Sequence, residues 1–108
     1  MREEIEIDVK LAEKLAYYAM YGFIEMDPVT GERPLNIEGW TFLSKEEEGQ
    51  KYGYLMEAVF HRDGDPEDEA WSTTFDVQSE NEVFISGDTL TFYPRKKVVK
   101  VIEVVTWE

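Results

Sequence analysis

The sequence predicts an α+β fold in which one N-terminal helix packs on a curled, mainly antiparallel sheet of five to six strands. Apolar residues recur at helical spacing soon after the N-terminus, and from Gly39 onward the pattern changes to strand alternation. The connections between the alternating segments are short, which favours antiparallel neighbours. A chain of 108 residues suits a single core, so we expect one acidic domain spanning residues 1–108.

The predicted helix follows a short predicted strand. Residues 3–8 alternate between polar and apolar side chains, and Asp8 has the side chain of a helix N-cap. The helix extends to about Glu25, and Asp27-Pro28 ends it, because proline disfavours helical backbone in the residue before it. The apolar arc of this helix consists of Val9, Leu11, Ala12, Leu15, Ala16, Ala19, Met20 and Phe23. The alanines on the arc predict close contact between helix and sheet.

The predicted strands alternate in side-chain character with a period of two. They begin at Trp40, continue through residues 52–60 and 71–77, and include 83–85 and 90–93. Ser86-Gly87-Asp88 predicts a tight hairpin between the last two of these segments, since glycine adopts positive φ freely.

The chain closes with a valine-rich segment, residues 97–107. Its apolar residues occupy both parities, which predicts a strand that is covered on both faces or bulged. The complete order of strand, helix and a run of strands resembles the element order of cystatin-like folds. That resemblance implies a curled sheet wrapping one helix, and no motif extends it to an activity.

Net charge is the strongest global feature. The chain carries 24 acidic and 11 basic residues, for a formal net charge of −13. Such a charge repels nucleic acids and anionic membranes and attracts basic partners, so we expect no direct nucleic-acid binding and no membrane association. The alternative is that the acidity serves solubility alone. Because there is no cysteine, and the N-terminus is too acidic for a targeting peptide, we expect a cytoplasmic protein. We also expect a monomer or a weak homodimer.

The sequence contains no recognisable catalytic or cofactor motif. It lacks phosphate-binding glycine-rich motifs, HExxH and GxSxG. Its single histidine, His61, lies in a predicted strand, and general-base catalysis would need an orienting group and a nucleophile beside it. The acidic segment beginning at Asp63 fails the EF-hand template, because Asp68 occupies the glycine position and Thr74 the position of the bidentate glutamate. We expect no catalytic residue, no cofactor and no metal site.

Two acidic clusters, both expected in exposed loops, are candidate partner-binding sites. Their residues are Glu46, Glu47 and Glu48 in the first cluster and Asp63, Asp65, Glu67, Asp68 and Glu69 in the second. Tyr52 follows the first cluster and Trp71 follows the second, so each combines carboxylates with a nearby aromatic anchor, a composition suited to interfaces. A dense row of carboxylates can also imitate a phosphate backbone.

A third candidate is the pair Tyr17 and Tyr21, which lie one helical turn apart. Tyrosine is favoured at interfaces, although the sheet edge or a loop covering both rings is the alternative interpretation. The basic segment 95–97 with Lys100 follows Pro94 at a predicted turn. We expect these cations to balance the acidic loops.

These observations favour a non-enzymatic protein that docks on a basic, nucleic-acid-binding surface of a partner. In size and charge it resembles anti-CRISPR and anti-restriction inhibitors of phage and immunity proteins of nuclease toxins. One alternative is a small-molecule-binding domain or small enzyme with an aromatic-lined concave sheet face. Its lining would be Trp40, Tyr54, Phe60, Trp71 and Phe75. A second alternative is a structural subunit that assembles through a valine-rich or aromatic surface.

Overall fold

Among the described residues, one α-helix packs on a seven-stranded antiparallel sheet that curls around it without closing. The computed structural model describes residues 3–21, 29, 36–99 and 105–107. The elements are β1 (Ile5–Asp8), α1 (Val9–Tyr21), β2 (Trp40–Gln50), β3 (Gly53–Arg62), β4 (Glu69–Gln78), β5 (Glu82–Phe84), β6 (Thr89–Val99) and β7 (Val105–Trp107). The predicted fold class is confirmed, and β5 and β7 are strands of 3 residues each.

The sheet has the strand order β1-β6-β4-β3-β2, which places β2 at one edge. β5 pairs with the end of β4, whereas β6 pairs in turn with β1, β4 and β7. The predicted hairpin across residues 86–88 is therefore wrong, because β5 and β6 each pair with β4 and not with each other. Gly87 has the expected positive φ of 89°, and the neighbouring Asp88 carbonyl accepts a hydrogen bond from the Val9 amide. This connection thus meets the start of α1.

β6 differs from its prediction at both ends. Pro94 lies inside the strand opposite Trp71, not in a turn. β6 pairs with β1 up to Phe92 and with β4 from Tyr93, so Pro94 lies just after the change of partner strand. A residue without a backbone N–H is tolerated at such a position. The predicted single strand 97–107 is also wrong, since β7 folds back onto the last residues of β6. The segment 97–107 contains parts of two antiparallel strands, β6 and β7. For this reason its apolar residues do not follow the alternation of a single strand.

Helix α1 presents small side chains to the sheet. Asp8 caps it as predicted, with its carboxylate accepting a hydrogen bond from the Lys10 amide at 3.0 Å. Ala12, Ala16 and Ala19 are completely buried. Large side chains on the sheet fill the space beneath them: Trp40, Met56, Phe60, Trp71, Phe75, Val77 and Phe92. The described helix ends at Tyr21, and its predicted extension to Glu25 lies outside the described residues.

The alanine stripe gives a direct test of this packing. Ala16→Leu adds volume to a completely buried contact, and we expect it to lower the free energy of unfolding by about 1–3 kcal/mol. Tyr17 is 38% exposed on the neighbouring position of the helix, so Tyr17→Ala should cost about 0.5 kcal/mol. Chemical denaturation of both variants measures the difference. Equal losses would show that the helix meets the sheet through a different face.

Candidate functional site: an acidic open sheet face

Much of the face of the sheet opposite α1 is open to solvent, although Val59 and Ser72 on that face are buried. In β3, Ala58 and Phe60 point toward the helix and are completely buried, whereas Glu57 points to the other face and is exposed. Side chains of residues paired across neighbouring strands share a face. Glu57 pairs with Glu46 of β2 and Thr74 of β4, so these residues lie beside it on the open face.

A β-bulge in β2 determines which of its charged residues reach the open face. Phe42 pairs with Phe60 and packs against the core, and the register then shifts by one residue before Ser44. This shift turns Glu46 and Glu48 to the open face and directs Lys45 and Glu47 toward the helix side. The prediction that Glu46–Glu48 form an exposed loop is therefore wrong, since they lie within a strand.

The carboxylates on this side form a group that we call the acidic face. Its members are Glu46, Glu48, Glu57, Asp76 and Glu82. Sequence reasoning found the two on β2 and missed the others, which come from β3, β4 and β5. Strand alternation already separates Glu57 from the core. The cross-strand register that joins it to the rest is not visible in the sequence.

The spacing of the acidic face follows from strand geometry. Alternate residues such as Glu46 and Glu48 lie about 7 Å apart along one strand, and paired residues such as Glu46 and Glu57 have Cβ atoms about 5 Å apart. Leu55 and Phe84 each pair with Asp76 across neighbouring strands, so both lie among these carboxylates. The Phe84 side chain is 56% exposed. Within the described part of the chain, no lysine or arginine forms an ion pair with a member of this face.

The second acidic cluster is partly used by the fold itself. The Trp71 indole Nε1–H donates to the Asp65 carboxylate at 2.9 Å, and Arg62 donates to the same carboxylate at 3.2 and 3.3 Å. The Arg62 guanidinium also lies over the Trp71 ring, 4.9 Å from its centre. The Asn36 amide donates to the Asp63 carboxylate at 3.2 Å. Trp71 is 2% exposed, so it is a core residue and not the accessible anchor proposed for this cluster.

The rest of the second cluster lies beside basic residues. Glu67 and Asp68 are exposed, and the Lys96 Nζ is 4.0 Å from the Asp68 carboxylate. Glu69 pairs with Lys96 across the β4–β6 ladder. Lys96 thus supplies a counter-charge to this loop, as predicted for the basic segment, whereas Lys100 lies outside the described residues. This loop has local counter-charges, in contrast to the acidic face.

The two candidate tyrosines lie on the helix side of the molecule. The rings of Tyr17 and Tyr21 stack with an interplanar angle of 8° and centres 6.4 Å apart. Burial raises the pKa of the Tyr54 phenol, and the Glu47 carboxylate and Tyr21 raise it further. Lys45 donates to the Met20 carbonyl at 3.1 Å, joining β2 to the end of the described helix. Tyr17 and Tyr21 are therefore separated from the acidic face by the sheet.

The side chain of His61, the single histidine, lies against a loop. His61 Nε2 lies 3.1 Å from the Asp65 carbonyl oxygen, so its ring contacts the β3–β4 loop. Over the described ranges 3–21, 36–99 and 105–107, no set of three or more His, Cys, Asp or Glu side chains converges on a point that could hold a metal ion. Among the same residues, no helix has the length and apolar character needed to cross a bilayer.

No protein-family model matches the chain, and searches of curated proteins and of solved structures found no significant similarity.

The facing pair Glu46 and Glu57 predicts a stability gain on mutation. Like charges directly opposite each other destabilise a sheet, so Glu57→Lys should raise the free energy of unfolding by about 0.2–1 kcal/mol at low salt. The gain should shrink as salt screens the charges. Denaturation at low and high ionic strength measures both effects, with Glu57→Gln as the intermediate case. A loss of stability at low salt would contradict the assigned register.

The hydrogen bonds of Asp65 predict the opposite behaviour in the loop. Asp65→Asn weakens the acceptor for the Trp71 indole and the Arg62 guanidinium, and should destabilise the protein by about 1–3 kcal/mol. Glu67→Gln, in the exposed part of the same loop, should leave stability unchanged within about 0.5 kcal/mol. Thermal unfolding followed by tryptophan fluorescence compares the two. Equal stability of both variants would show that the Asp65 contacts contribute nothing.

Proposed function

We propose that the protein is a non-enzymatic binding module that docks its acidic face on a basic, nucleic-acid-binding surface of a partner protein. The observation that carries the proposal is a set of carboxylates on one open sheet face, without ion pairs to the described lysines and arginines. Charges arranged in this way attract a cationic surface and orient its approach.

The stability of the free protein supports a role for this arrangement. Glu46 and Glu57 repel each other across the ladder, which lowers the stability of the unbound fold. Lysine or arginine residues of a partner would relieve that repulsion on binding. A function in binding therefore gives a reason for a charge pattern that folding alone disfavours.

The negative charge of the acidic face supports competition with nucleic acid. Each strand of B-DNA places one negative charge about every 3.4 Å along the helix axis, and proteins bind these phosphates through lysine and arginine. The acidic face offers carboxylates at intervals of about 5–7 Å on a rigid sheet. The same basic surface can pair with either. The most concrete form of the proposal is an inhibitor of the anti-CRISPR, anti-restriction or nuclease-immunity type.

The apolar members of the face add a second contribution to docking. Phe84 is 56% exposed and pairs with Asp76, and Leu55 lies between Asp76 and Glu48. Interfaces combine such apolar groups at the centre with charges at the rim, and the aromatic groups supply much of the binding free energy. The face thus provides both long-range attraction and a short-range contact.

The structure weakens the basis of the alternative functions. The aromatic residues suggested to line a pocket instead fill the core or, for Tyr54, pack against it: Trp40, Tyr54, Phe60, Trp71 and Phe75. The valine-rich segment suggested to mediate assembly pairs within the chain, through β6 and β7. Assembly through an aromatic surface stays an alternative, because Tyr17, Tyr21 and Tyr93 are exposed.

Charge reversal of the acidic face is the direct test of docking. A partner is first captured from host lysate and purified, and its affinity for the protein and for labelled nucleic acid is measured. Glu46→Lys, Glu48→Lys and Glu57→Lys combined should weaken binding about tenfold or more. Raising salt from about 50 to 500 mM should slow association, because it shortens the Debye length. The protein should also displace the labelled nucleic acid.

A control variant carries the same change in charge elsewhere. Glu13→Lys, Glu67→Lys and Asp68→Lys alter exposed residues outside the acidic face and should leave affinity close to that of the unchanged protein. Equal weakening by both triple variants would show that only net charge matters. Simultaneous binding of protein and nucleic acid to the partner would overturn the competition mechanism.

A further inference from the structure

A groove of about 340 Å³ lies at one end of the acidic face. It is bounded by the turn between β2 and β3 and by the end of β4, and Lys51, Tyr52, Gly53 and Asp76 contribute to its lining. Tyr52 is 73% exposed, so its ring is accessible. Asp76 is half-buried and belongs to the acidic face. The groove therefore combines an accessible aromatic ring with a partly desolvated carboxylate.

Gly53 keeps one part of this groove free of side-chain atoms. A Cβ atom at this position would collide with the Val77 carbonyl oxygen and would lie 2.9 Å from the Gln78 Cα. The backbones of β3 and β4 approach too closely there to admit any side chain. Bare backbone thus lies between the Tyr52 ring and the residues at the end of β4.

The Tyr52 ring already attracts a cation from its own chain. The Lys51 Nζ lies 5.2 Å from the ring centre, within the distance of a cation–π contact. Lys51 is exposed, and an exposed contact of this kind contributes only about 0.5–1 kcal/mol. A guanidinium group is planar, stacks on aromatic rings and pairs with carboxylates through two hydrogen bonds. It suits a ring beside a carboxylate better than the lysine ammonium does.

We propose that this groove is a binding subsite for an arginine side chain of the basic partner. The guanidinium stacks on Tyr52 in place of the Lys51 ammonium and pairs with the Asp76 carboxylate. The inference rests on the proposed function, because the acidic face brings the partner's arginine to the groove. It adds a preference for arginine over lysine at one defined position, which charge attraction alone does not supply.

The test uses N-acetyl-L-arginine amide as the probe, titrated into ¹⁵N-labelled protein at constant ionic strength. We expect saturable shifts of the Gly53 and Gln78 amide signals and weaker binding of N-acetyl-L-lysine amide. Tyr52→Ala and Asp76→Asn should each weaken arginine binding about threefold or more, whereas Tyr52→Phe retains it. Lys51→Gln should strengthen binding, since it removes the competing cation. Asp88→Asn, outside the groove, is the control and should change nothing.

Several results would overturn the subsite: shifts spread evenly over the acidic face, equal affinity for both probes, or weaker arginine binding in Lys51→Gln. The two proposals fail separately. Partner binding that is lost on reversal of the acidic face but unchanged in Tyr52→Ala would overturn the subsite alone. Saturable arginine binding in the groove, with partner affinity insensitive to reversal of the face, would overturn the proposed function alone.

Discussion

In the described parts of β2, β3 and β4, side chains alternate between the helix side and the opposite side, and the aromatic core occupies the helix side. In β3 and β4 this constraint places Phe60 and Phe75 inward and Glu57 and Asp76 outward. In β2 the same alternation would turn Glu46 inward if it continued unbroken from Phe42. The bulge between Phe42 and Ser44 reverses the parity. The contribution of β2 to each face depends on that single shift.

Local patterns were sufficient to predict the elements whose signals lie within a few residues. The carboxylate of Asp8, the alanine stripe of α1 and the alternation from Trp71 to Val77 all appear in the structure as expected. Pairing was a different problem. The glycine at position 87 was sufficient to predict a positive φ, but not which strands pair on either side of it. Nothing about Leu43 in the sequence indicates the bulge between Phe42 and Ser44. Glu46–Glu48 have low strand propensity, and their ladder with β3 overrides it.

The acidic residues divide into those that support the fold and those available to a partner. Asp65 is held by the Trp71 indole and the Arg62 guanidinium, and Asp68 lies beside Lys96. Those of the acidic face have no comparable counter-charge among the described residues. The net charge counts the acidic residues of both groups equally. Composition therefore predicted that the protein attracts basic surfaces, but not which of its own surfaces does so. Three-dimensional pairing is needed to distinguish them.

The position of β2 at the edge of the sheet has a consequence for self-association. Within the described residues β2 pairs with β3 alone, apart from the bridge between Ile37 and Trp40, and an edge of this length is a template for aggregation. Two copies aligned antiparallel about Glu47 would bring Glu46 of one against Glu48 of the other. Their repulsion opposes such pairing. The glutamates of β2 thus disfavour edge-to-edge pairing between two copies.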